Sequence, residues 1–144
     1  MILNANLIFA EDQAVTATAI SENVIQIPAA GTVPYEDAAI IRNLGAGSYL
    51  PLMIMVTADF ATLTSLTISV ETADNAALSS GAVVLATTGA IAAASLVAGY
   101  RVPAPQILPD ATLKDYLGLR FTVGGSNATA GTITAALATE IQSA

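Results

Sequence analysis

The stock of chemically active side chains in this sequence is narrow: eleven acidic residues, four basic ones, and neither His nor Cys among 144 residues. Without imidazole there is no Ser-His triad, no His metal ligand and no imidazole general base. Without a thiol there is no disulfide, thiolate nucleophile or Cys-based zinc site. A carboxylate pair is the one common catalytic device left open. The acids, however, stand singly or as adjacent pairs in turn-like sequence, such as Glu11-Asp12 and Glu36-Asp37. Solvated loop charge is the simpler reading. Asp59, Glu71 and Asp74 could contribute to a calcium site, but they lack calcium-loop spacing. Gly45-Ala-Gly-Ser48 and Gly124-Gly-Ser126 superficially suggest phosphate loops, yet neither leads into Lys or a helix. They read as turns, and Asn127-Ala-Thr129 is a glycosylation sequon only in form. The expectation is a chain that is not an enzyme and uses no cofactor or metal.

Charge narrows the partners. Only 10% of the residues are charged, against about 25% in ordinary soluble domains. The formal net charge is −7, and the cations are confined to Arg42, Arg101, Lys114 and Arg120. Four scattered cations are too few to follow a phosphate backbone, so no nucleic acid is expected. The hydrophobic share is 54%, but 30 of those residues are Ala. The surface must therefore be built largely from Ala, Thr, Ser, Asn and backbone, a composition that suits contact with other proteins. Residues Ala82 to Tyr100 carry no charge and are long enough to span a bilayer, but Thr87, Thr88, Gly89, Ser95 and Gly99 interrupt them. No membrane span is expected. Nor is a secretory signal, since MILNANLIFAEDQA has no basic start and is broken by Asn4 and Asn6.

The elements that would position these residues read as strands. Leu66-Ile68-Val70, Leu117-Leu119-Phe121-Val123 and Ile133-Ala135-Leu137-Thr139-Ile141 each fall on one face of a period-two pattern. Their Thr, Val and Ile favour strands further. Tyr49 to Thr57 is apolar on both faces, as in a strand covered on both sides. Pro51 should then lie at an edge or at the strand's start. Asn23 to Ile27, Ala82 to Thr87 and Ser95 to Val102 complete about seven expected strands. Turn chemistry separates them, and Gly124 to Gly131 reads as a long hairpin loop between the last two. The whole predicts an all-β, jelly-roll-like antiparallel sandwich in one domain, residues 19–144, preceded by an arm or edge strand over residues 1–18. Aromatic residues are too few for a sugar-binding platform: no Trp, three Phe and four Tyr. Phe9, Phe60 and Phe121 read as core or interface anchors. Tyr116 reads as a structural hydroxyl, and Tyr49 and Tyr100 as packing residues.

Four stretches, taken in order, carry a family likeness. They are MIL followed by FAEDQAVTATA, LTISVETADNAALSS, SLVAGYRVP, and YLGLRFTVGGSNATAGTITAAL. Together they cover most of the chain, and the sequence resembles the Bbp16-type capsid cement proteins of tailed bacteriophages. The resemblance implies a jelly-roll decoration protein on the outer capsid surface of the virion, made in the host cytoplasm. It also implies an oligomer that bridges neighbouring major capsid subunits. No catalytic residue is implied.

Within that expectation the partners are the major capsid protein and further copies of this chain, a dimer being favoured over a trimer. MILNANLIF holds too many apolar residues to lie free in water, so Met1, Ile2, Leu3, Leu7, Ile8 and Phe9 are the expected protein interface. The alternative is a head-fibre or tail-associated β-domain recognising a host surface glycan or receptor. A secreted surface-layer subunit stands behind both.

Overall fold

Alternating apolar residues need a second layer to cover them, and here each of two sheets covers the other. The computed structural model describes residues 3–29, 31–45, 48, 50–108 and 111–138. Among these residues eight strands run in chain order: β1 (Leu3–Ala14), β2 (Ala19–Ile20), β3 (Ile25–Gln26), β4 (Leu52–Ala61), β5 (Ser65–Ala73), β6 (Val83–Ala92), β7 (Tyr116–Gly124) and β8 (Ala130–Ala138). All pairings are antiparallel. The smaller sheet has the order β1-β8-β4, and the larger β2-β7-β5-β6, with β3 pairing β7 beside β2. The chain crosses between sheets after β1, β3, β4 and β7. It is an all-β sandwich.

The core lies between the layers. Phe9, Ile54, Val56 and Ile133 of the smaller sheet meet Leu66, Ile68, Leu119 and Phe121 of the larger one in a single buried cluster. Each large side chain so buried contributes about 1.5–3 kcal/mol relative to exposure. Phe60 closes one end by lying over Gly131, whose φ of +132° also requires glycine. Gln13 stitches the layers at a corner. Its side chain, on β1, donates to the Ile20 carbonyl at 2.9 Å and accepts the Glu22 N–H at 3.0 Å.

The strict alternations at 66–71 and 117–123 became β5 and β7, each a little longer than its pattern. Pro51 directly precedes β4, an edge strand, where its missing N–H costs no ladder bond. The expected strand 82–87 is the first half of β6, and 23–27 shrinks to the two residues of β3. The end of the 133–141 pattern lies outside the described residues.

Two expectations need correction. Residues 95–102 are not a strand. A turn of 3-10 helix at Ala93–Ser95 and a turn at Gly99, with φ of +86°, break the extension. Leu96 and Val102 are nonetheless buried, which accounts for the apolar pattern. Residues 124–131 are not a hairpin loop either. β7 and β8 belong to opposite sheets, so this link is a crossover. Its length suits both roles, and only the partners of the flanking strands distinguish them.

Candidate functional site

The residues with chemical potential are placed apart, each with a structural partner. Asp59 accepts the Ala98 N–H at 2.7 Å. Asp74 pairs with Lys114 at 3.1 Å. Glu71 is 5% exposed, on the outer face of β5. Both of its oxygens lie 2.9–3.0 Å from Arg120 Nε, and Ser69 Oγ donates to it at 3.0 Å. Arg120 Nη2 also donates to the Leu78 carbonyl at 2.8 Å. Asp59, Glu71 and Asp74 are therefore not brought together as ligands. Among the described residues no three acidic groups cluster closely enough to hold a metal ion. No helix among them is long and apolar enough to cross a membrane, and residues 83–92 of the uncharged stretch are strand β6.

What Glu71 and Arg120 position is the loop 74–81. Asn75 Oδ1 accepts the N–H groups of Ser79 and Ser80, turning the chain back so that Leu78 points down onto the sheet. Leu78 is 1% exposed. A Cβ at Gly118 would come within 2.8 Å of Leu78 and 2.9 Å of Val24, so glycine is required for this close approach. The loop is an apolar plug on the outer face, fixed by an ion pair.

The expected N-terminal interface divides. Met1 and Ile2 lie outside the described residues. Leu3 begins β1, its backbone opposite Ala138. Three register shifts buckle β1, and the Asn4 side chain accepts the Asn6 N–H within it. Leu7 and Ile8 are half-buried and face a cleft of about 480 Å³ shared with Asn23 to Gln26. Phe9 is fully buried in the core. It is a packing residue because the strand's alternation points it between the sheets, which corrects its assignment to the contact surface.

The more exposed apolar chemistry is elsewhere. Residues 31–41 form a small hairpin that stands off the sandwich. Its ladder consists of Val33 N–H to the Ala38 carbonyl, Ile40 N–H to the Gly31 carbonyl, and a bridge between Thr32 and Ala39. Pro34 presets the first central position of its tip, and the Glu36 N–H closes the turn onto the Val33 carbonyl. Tyr35 takes the second central position with φ of +67°, where glycine is usual, at a cost of about 1 kcal/mol. Its relative exposure is 108%, with Val33, Ile40 and Ile41 also exposed. At the base, Arg42 clamps the hairpin by donating to Asp115 at 2.6 Å and to the Ile27 carbonyl at 3.1 Å. Sequence reasoning passed over this segment. Its signal was the Pro34-Tyr35 turn between apolar residues and beside Glu36-Asp37.

Two sheet edges complete the surface. The outer edge of β4 is covered by residues 96–102, through bonds including Val56 N–H to the Tyr100 carbonyl and Val102 N–H to the Ile54 carbonyl. β6 ends the larger sheet, with Val83 and Val84 exposed and no charged residue in ten. A bulge at Gly89, with φ of +72°, interrupts it.

Fold and surface together define an antiparallel β-sandwich that leaves apolar side chains exposed on its 31–41 hairpin and on β6, while Asp59, Glu71, Asp74, Asp115, Arg42, Lys114 and Arg120 hold loops. The Bbp16 family model matches residues 9–137. The chain belongs to the Bbp16 family. No curated protein matches it.

Proposed function

We propose that this chain is a structural cement or decoration protein. In this reading it binds the outer surface of a phage head, bridges neighbouring major capsid subunits, and works as a homo-oligomer, a dimer before a trimer. The family name points to a bacteriophage setting. The observation that carries the reading is the placement of apolar surface. Eight large hydrophobic residues are exposed among those described, six of them on the 31–41 hairpin and at the start of β6. Exposed apolar groups gathered on ordered backbone mark surfaces made for other proteins. An oligomer touching several subunits at once multiplies weak contacts through effective concentration.

The test is to add purified protein to heads lacking it, follow co-sedimentation, and image the particles. Saturable binding with density at symmetry-related seams of the outer shell is the expected result. Binding to host cells and not to heads would favour receptor or glycan recognition and sink the cement reading.

A further inference from the structure

The geometry points to the hairpin 31–41 as a preformed docking finger whose partner is an apolar socket rimmed by Lys or Arg on the major capsid subunit. The assignment rests on the capsid-binding reading above and names the element that makes the contact.

Three observations lead to it. First, the finger has a shape of its own: two ladder bonds, the Pro34 turn and the Arg42 clamp define it without a partner. A contact on such an element avoids the ordering entropy that weakens flexible loops. Second, its apolar side chains are not spent on its own fold. Tyr35 is wholly exposed at the tip, in a backbone conformation unfavourable to any residue with a Cβ, and Ile41 is 68% exposed. A protruding aromatic with apolar neighbours is the make-up of a binding hot spot.

Third, charge selects the kind of partner. Glu36 and Asp37 are exposed beside Tyr35, so the socket must offer positive charge around an apolar floor. A second copy of this chain is a poor source of it. Of the four cations, Arg42, Lys114 and Arg120 are held by Asp115, Asp74 and Glu71, and Arg101 is engaged as well. The finger therefore fits a different protein, and on the reading above that protein is the capsid subunit.

The experiment measures binding of Tyr35→Ser, Glu36→Lys/Asp37→Lys and, as a control on the other exposed patch, Val83→Ser to heads lacking the protein, at two salt concentrations. Circular dichroism and a thermal melt confirm that each variant is folded. Tyr35→Ser should weaken binding about thirtyfold or more. The double charge reversal should weaken it about tenfold at low salt and flatten its salt dependence. Wild-type binding with equal binding by the finger variants would overturn the finger and leave the cement reading standing. A wild-type chain that fails to bind heads would overturn both. A change in self-association with head binding intact would show the socket to lie on a second copy, against the proposal.

Discussion

Two loops rise from neighbouring points of the larger sheet, and they treat their apolar residues in opposite ways. The 74–81 loop and the 31–41 hairpin are anchored by consecutive residues of one segment: Lys114 holds Asp74 and the Gly81 carbonyl, and Asp115 holds Arg42. Above these anchors they diverge. Asn75 folds the first loop back, burying Leu78 against Gly118 and Val24. The hairpin has no comparable back-turn, and its Val33, Tyr35, Ile40 and Ile41 face solvent. The same scaffold can evidently fold a loop's apolar residue inward, so their exposure on the hairpin is a property of that hairpin's own turn. One loop stabilises the sandwich, and the other is free to meet something else.

That contrast can be broken or sharpened by substitution. The largest effect expected is from Leu78→Ala, which empties a covered site and should cost about 3 kcal/mol. In a domain of this size the midpoint of a thermal melt should fall by roughly 10 °C. A fall of under about 2 °C would mean that the plug is not part of the fold.

Arg120→Ala removes the partner of a buried carboxylate and a donor to the Leu78 carbonyl. A loss of about 2 kcal/mol is expected by chemical denaturation, below the full cost of a broken buried pair because Arg120 is itself 30% exposed. Asp115→Ala breaks a more exposed pair, so global stability should change by less than about 1 kcal/mol. Amide exchange in residues 31–41 should nonetheless quicken as the hairpin loses its clamp. Smallest of all, Ile41→Ser should leave stability within about 0.5 kcal/mol of the parent. A larger loss would show that the hairpin is packed after all, and the distinction between the loops would collapse.

How much of this was legible in the sequence depends on what sets each element. β5 and β7 could be read residue by residue because their large apolar residues alternate onto the core face, while the outer face, although partly covered by the 74–81 loop, carries Ser69, Glu71, Gly118 and Arg120. β6 was read only to Thr87, since a bulge at Gly89 shifts the pattern without ending the strand. Residues 95–102 read as a strand because Leu96 and Val102 are buried, although turns carry them there. The link 124–131 was legible as a loop but not as a crossover, because no local residue records which sheet follows. The hairpin escaped notice for a related reason. Its Val, Ile and Tyr are the residue types of a core, and only the absence of a covering layer turns them into surface. Phe9 shows the reverse error, an apparent contact residue that the pleat of β1 directs inward.

The order β1-β8-β4 also has a consequence for how the chain comes to be folded. β8 is the central strand of the smaller sheet, and both of its neighbours precede it by long stretches of sequence: Ala14 pairs with Thr132, and Leu52 with Leu137. During synthesis, β1 and β4 lack their shared partner β8 until residues 130–138 have left the ribosome, and only the outer edge of β4 can be met sooner, by residues 96–102. Half of the sandwich must wait, with the apolar faces of two strands uncovered in the meantime. Contacts of such long sequence separation make folding slow and the waiting chain prone to aggregate. Any change that delays or weakens β8 should therefore reduce soluble yield before it alters the finished molecule.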